Sequence, residues 1–367
     1  MEKSRNRNIS RPILKGSAQE PAQQTEVPQP QEVPVKRPSE SSRLRVGITP
    51  GDGSSLNYGA MARLFFDNSI FDSVLPFVYG SPKDLLQAAE KAGREDLKVV
   101  AQQQIQDIKG RNVQVLQTAS EETEDALLPL QAGIRHLAEG HLHALVSLPL
   151  DETKVRQKHA DFKNQAVAVA EVFHANPFRM LLARSMRLNF LTTASRQDLA
   201  TYLDTQRIEQ RLRALYAVLQ SDFSITTPRI AVLCADSPID KNVLKPLVTR
   251  LFEEGIPVFG PYASKEFFVK PDRYAFDAVL CMYKEQMEKV FDACPKEDCC
   301  YYTAGLPIVH IETVFGSGNA EEAFRSLFRA LCTAVDIVAA RQQNAKLNEN
   351  PLGYHAASYK RDGHEEN

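Results

Sequence analysis

Short apolar runs rich in β-branched residues alternate along this chain with longer stretches of helical period. The first run, Leu44-Arg45-Val46-Gly47-Ile48-Thr49, is closed by the turn formers Pro50-Gly51-Asp52-Gly53 and reads as strand, then loop. Runs of the same kind lie at 75–79, 144–148, 187–192, 230–234 and 278–282. Between them, helical patterns cover 121–139, 206–220, 242–254 and 320–341. Strands interleaved with helices predict an α/β fold, a mainly parallel sheet covered on both faces.

Residues 1–43 break this rhythm. Pro21, Pro28, Pro30, Pro34 and Pro38 interrupt any helical period among Gln, Ser and Glu, so the segment reads as a disordered tail, and 351–367 as a flexible C-terminus. Arg5, Arg7, Arg11 and Lys15 make the tail basic at its start, which suits a solvated extension better than a docking element.

Composition narrows the function. With 43% hydrophobic residues in 367, there is enough apolar material for two ordinary domains or one large one with a cleft. A formal charge of −2 gives no field favouring nucleic acid or an anionic membrane. No apolar run approaches the roughly 18 residues of a membrane span, and no secretory leader is evident, so a soluble cytoplasmic protein is expected. The six cysteines lack paired C-x-x-C spacing and read as free thiols. His136, His141 and His143 are not spaced to converge on one ion, and His159 and His174 read as surface residues.

In α/β sheets ligands gather where strands end, which directs attention to 49–53, 147–152, 235–238 and 283–286. None carries a G-x-G-x-x-G or P-loop pattern. The segments at and around these loops do resemble a known family. Val46-Gly47-Ile48-Thr49-Pro50-Gly51-Asp52, Val78-Tyr79-Gly80-Ser81-Pro82-Lys83, Ala144-Leu145-Val146-Ser147-Leu148-Pro149, Phe276 to Tyr283 and Tyr302 to Val309, in that order and spacing, resemble the 4-hydroxythreonine-4-phosphate dehydrogenases, PdxA. The resemblance covers about residues 45–355.

It implies a two-domain α/β/α protein similar to isocitrate and isopropylmalate dehydrogenases. The first domain would be 45–147 plus 310–350; the second, 148–309, would hold the cleft and the interface of a homodimer. It also implies NAD or NADP as hydride acceptor, and a divalent cation held by three histidines that polarises a phosphorylated hydroxy acid, 4-phosphohydroxy-L-threonine, for oxidation and decarboxylation on the way to pyridoxal phosphate.

Against that pattern the chain departs at every metal ligand. Gln165 takes the place of the first histidine, Ser237 or Pro238 that of the second, and Lys284, in Met282-Tyr283-Lys284-Glu285-Gln286, that of the third. A lysine ammonium offers three donors and no lone pair, so a divalent metal is not expected here. Asp292, Tyr301 and His310 stand where the family has a lysine, an asparagine and an arginine at the substrate, and Glu152 where it has a lysine. Asp52 persists, but Ser55, Asn57 and Gly59 replace the two later glycines and the glutamate of the family's glycine-rich frame.

These departures predict a cleft of Asp52, Glu152, Gln165, Glu285, Gln286, Asp292, Tyr301 and His310, with Lys284 the one catalytic candidate. Lys284 is expected to bridge Asp292 or Glu285, and a protonated His310 is a candidate anion ligand. The reading is a PdxA-like protein, non-catalytic or binding a small molecule. The alternative is an NAD-dependent dehydrogenase with a metal-free site in which Lys284 stabilises the developing alkoxide.

Overall fold

A computed structural model describes residues 43–349 apart from 68, 106–110, 119–124, 185, 194–203, 235–237 and 317–318. The readings of the N-terminal tail, the C-terminus and Ser237 therefore lie outside the described residues, and of Pro238 only the backbone is described.

A 12-stranded sheet runs through the molecule. Six strands, β1 (Leu44–Thr49), β2 (Val74–Gly80), β3 (Val99–Gln102), β4 (Val113–Gln117), β5 (Ala144–Ser147) and β12 (Val309–Thr313), form one half. The other half comprises β6 (Phe178–Ala183), β7 (Met186–Thr192), β8 (Ile230–Cys234), β9 (Val258–Ala263), β10 (Ala278–Tyr283) and β11 (Cys299–Ala304). The strand order is β3-β4-β2-β1-β5-β12-β11-β6-β7-β10-β8-β9. Pairing is parallel within each flank and antiparallel in the middle, at β12–β11, β11–β6 and β6–β7. The expected α/β architecture with a mainly parallel sheet is thus present.

Strand direction separates the loops that the sequence singles out. Strands β1, β5, β12 and β6 run one way, and β11, β7, β10 and β8 the other, so loops after β5 and after β10 leave the sheet at opposite ends.

Helices α1 (Ser55–Leu64), α2 (Ile70–Ser73), α3 (Pro82–Lys91), α4 (Leu127–Ala138), α5 (Glu152–Lys158) and α6 (Gln165–Val172) belong to the first part of the chain. After them come α7 (Thr205–Phe223), α8 (Pro238–Glu253), α9 (Ser264–Phe267), α10 (Lys284–Ala293) and α11 (Ala320–Glu349). Several start on side-chain caps that the sequence supplies, Ser54, Ser81, Asp151, Asn164 and Asp204, each accepting from a backbone N–H of the first turn. Strands β3, β4, β6, β9, β11 and β12 are not among those the sequence pattern announces; in β4 and β12, Gln114, His310 and Glu312 interrupt the apolar run.

One continuous apolar core fills one face. Val46, Val146, Ile311, Tyr302, Met180 and Leu280 contribute to it from both halves of the sheet. On the opposite face the apolar packing falls into two patches, one around Leu145, Ile134 and Val169 and the other around Leu181, Leu188 and Met287. No helix among the described residues is long and apolar enough to cross a membrane.

Candidate functional site

Between those two patches, the central strands turn polar side chains outward. Period-two alternation puts Val309 and Ile311 of β12 in the continuous core, which leaves His310 and Glu312 on the other face. By the same rule Cys300, Tyr302 and Ala304 of β11 face the core, while Tyr301 and Thr303 face outward, and Arg179 alternates with Phe178 and Met180 on β6.

These residues are tied together. Ser147 Oγ and Thr303 Oγ1 lie 3.0 and 2.9 Å from the two ring nitrogens of the fully buried His310. Arg179 Nη2 donates to Glu312 Oε2 at 2.7 Å, and the guanidinium stacks 3.8 Å from the centre of the Tyr301 ring. Burial raises the Glu312 carboxyl above the usual range and Arg179 opposes that rise. Glu312 Oε1 and Arg179 Nε are buried without a hydrogen-bond partner.

Above this polar strip lies a cavity of about 540 Å³. Its walls are Glu152 and Asn164 from the segment after β5, Arg179 and Phe178 at the start of β6, Phe190 and Thr193 at the end of β7, Thr303 on β11, and Lys284, Glu285 and Glu288 on α10. Among the described residues, three carboxylates and two cations thus line a space of small-molecule size. Sequence reasoning missed Arg179, Thr193, Phe190 and Glu288. The signal for this face was in Val309-His310-Ile311-Glu312-Thr313, where polar residues alternate with apolar ones in a strand flanked on both sides.

The structure corrects several sequence-based expectations. Lys284 is not bridged to Asp292 or Glu285. Its Nζ sits 2.8 Å from Glu288 Oε1, one helical turn on, while Asp292 is exposed and lies 3.8 Å from Lys296. The reason is local geometry, since residues four apart share a helix face. His310 is not an anion ligand: burial, with the nearby Arg179 charge, lowers its pKa from the ordinary 6.5 to about 3, so it is neutral and fully used by Ser147 and Thr303.

Gln286 is a structural clamp rather than a cleft residue. Its Oε1 accepts from the amides of Met282 (2.8 Å) and Tyr283 (3.4 Å), and its Nε2 donates to Cys234 O (2.8 Å), joining β10 to β8. Gln165 is likewise buried, donating to Leu148 O at 3.1 Å, and is not among the lining residues.

Asp52 also lies outside the cavity. Its Oδ1 accepts from Ser54 N and from Asn57 Nδ2, and the Asn57 amide also donates to Pro50 O and Pro149 O, tying the loop after β1 to the loop after β5. Gly51 at φ +61 packs there so closely that a Cβ would fall 2.0 Å from Pro149 O, so this glycine of the frame is sterically required. Of the predicted cleft, Glu152, Lys284 and Glu285 line the cavity directly, and Tyr301 and His310 contact its lining residues Arg179 and Thr303.

The metal implied by the resemblance does not fit these residues. Lys284 contributes an ammonium already paired with Glu288, Gln165 is committed to Leu148, and among the described residues no group of three or more His, Cys, Asp or Glu side chains is placed to hold an ion.

A mainly parallel α/β sheet with a polar cavity at its antiparallel centre defines the class as α/β. Within that class, the family model described as "Pyridoxal phosphate biosynthetic protein PdxA" matches residues 72–320, and the chain belongs to this family. A 4-hydroxythreonine-4-phosphate dehydrogenase of Bacteroides thetaiotaomicron is 27% identical over 348 residues, covering 85% of this chain and 94% of the relative.

The fold is similar to that of the 4-hydroxythreonine-4-phosphate dehydrogenase from Klebsiella pneumoniae, with a TM-score of 0.65 at 16% identity, over 79% of this chain and 99% of that one. A terephthalate 1,2-cis-dihydrodiol dehydrogenase from Burkholderia xenovorans also shares it, with a TM-score of 0.52 at 15% identity, over 78% and 98% of the two chains.

Proposed function

We propose that this protein is a PdxA-like homologue in which the metal-dependent oxidation and decarboxylation has been lost and the central cavity serves to bind a small polar molecule. The family's activity, NAD-dependent dehydrogenation of 4-phosphohydroxy-L-threonine in pyridoxal phosphate synthesis, is the reference from which it has departed. The observation that carries this reading is Lys284, an ammonium at the family's third metal-ligand position, paired with Glu288 at 2.8 Å on the wall of the cavity.

The charge pattern supports it. A phosphorylated substrate is drawn by cations, each charge-assisted hydrogen bond to phosphate contributing about 1.5–3 kcal/mol. Among the described lining residues Glu152, Glu285 and Glu288 outnumber Arg179 and Lys284. The same carboxylates are unsuited to a dinucleotide pyrophosphate, for which the described lining residues offer no glycine-rich cradle. We also propose a two-domain division at 147/148 and 309/310 and homodimerisation through the second part, both carried by family likeness.

The test is rescue of a vitamin B6 auxotroph lacking 4-hydroxythreonine-4-phosphate dehydrogenase, with an intact family member as control. No rescue by this chain, despite folded expression, is the expected outcome; growth at the control rate would overturn the proposal. A second reading, a metal-free dehydrogenase, draws on the position of Lys284 in the cavity wall, where its ammonium would stabilise a developing alkoxide. NADH formation that survives chelators and vanishes in Lys284→Ala would select that reading.

A further inference from the structure

A second cavity, of about 400 Å³, lies at the other end of α10 and shares no lining residue with the first. Arg184 at the β6–β7 turn, Lys265 on α9, Arg273, and Lys289 on α10 line it, together with the aromatic rings of Phe268 and Tyr274, and among the described residues no carboxylate does. Arg184 is held by Asp298 at 2.8 Å. Among the described residues, none of Lys265, Arg273 and Lys289 has a carboxylate within ion-pair distance; the neighbouring Glu266 pairs with Lys270 instead. Arg273 donates to Lys270 O and to Tyr274 Oη, and its guanidinium lies 4.3 Å from the centre of the Tyr274 ring.

Three cations without a carboxylate partner among the described residues, around one small cavity, repel each other, and an anion placed among them removes that repulsion. The negative end of α10, which would oppose an anion, is offset by Lys296, whose Nζ donates to Phe291 O at 2.7 Å. Beside the cations, Tyr274 of the lining is 59% exposed. Cations alone suit any anion, but cations beside a partly exposed aromatic ring suit an anion carrying a planar group.

We propose that this cavity is a second binding site, for a small molecule that joins a phosphate to a planar ring. The phosphate would sit among Lys265, Arg273 and Lys289, and the ring against Tyr274 and Phe268. The site is independent of what the Lys284 cavity binds.

Titration calorimetry of the full chain with phenyl phosphate, and with its two halves phenol and inorganic phosphate, tests the proposal. Saturable binding of phenyl phosphate is expected below about 10 mM, with each half weaker by about tenfold or more. Lys265→Ala/Lys289→Ala should weaken phenyl phosphate by at least about tenfold, and Tyr274→Ala by about threefold or more. Lys284→Ala, at the other cavity, should leave it unchanged.

Lys265 and Lys289 are exposed, so an unchanged thermal transition in the double variant separates lost binding from lost folding. Absence of saturable binding, or binding that the double variant retains and Lys284→Ala abolishes, would overturn the proposal. So would a shift in oligomeric state of the double variant in sedimentation with phenyl phosphate binding intact, which would assign the surface to contact between subunits.

Discussion

Two ion pairs at the central cavity have similar lengths and differ in energetic weight. Lys284 and Glu288 are each more than two-fifths exposed, so their attraction is screened, and the lysine sits unfavourably at the positive end of α10. Lys284→Ala is expected to change unfolding free energy by about 0.5 kcal/mol or less. Arg179 and Glu312 are the contrary case. With the Glu312 side chain 6% exposed, Arg179→Met leaves a carboxylate without its counter-charge and should cost about 3–5 kcal/mol in urea denaturation at neutral pH. Adding Glu312→Leu to Arg179→Met should recover most of that loss, and a double variant no more stable than the single would show that the pair's electrostatics are not what holds the strip. Lys284 was legible in the sequence because its motif frame is intact; Arg179 was not, because nothing local marks a strand residue whose partner lies at Glu312, on a strand separated from it by β11.

At the level of elements, the loops after β1, β5 and β10 are fixed by side-chain amides. Gln286 closes the first turn of α10 and reaches Cys234 O, so Gln286→Ala strands the Met282 amide and that carbonyl together. A loss of about 2 kcal/mol or more is expected, seen as a lower urea midpoint with an unchanged slope. A slope that changes as well would indicate altered compactness and sink this account. Such clamps are half-visible in sequence: a glutamine three residues after a strand end is a capping signal, but its second bond to β8 depends on which strands become neighbours. Helix α11 makes the same point at greater length. Its period announces a helix from Ala320, yet only the fold shows Arg63 meeting Glu321 near one end and Arg341, near the other, meeting Asp222 and Tyr302.

Across the whole molecule, the buried His310 sets a pH dependence. Its folded pKa of about 3 lies below the ordinary 6.5, so the unfolded chain takes up a proton at this site that the folded chain refuses. Its contribution to stability is complete above pH 6.5 and is lost progressively as pH falls toward 3, by about 1.4 kcal/mol per pH unit inside that window. Unfolding free energies measured from pH 7 to 4 should show this slope, and His310→Gln should flatten it; an equal slope in the variant would assign the acid sensitivity to other groups.

The sequence by itself determined the alternation of strands and helices, the family, and the residue types at the ligand positions, because hydrophobic period and motif order are local properties of a chain. Only the tertiary structure decided which of those residues meet. Asp52, Gln165 and Gln286 are spent on neighbouring loops and strands and the exposed Asp292 lies near Lys296, so all four are outside the lining, while Arg179 and Glu288 come to matter. Strand direction and neighbour order arise from contacts far apart in sequence, and a motif does not encode them.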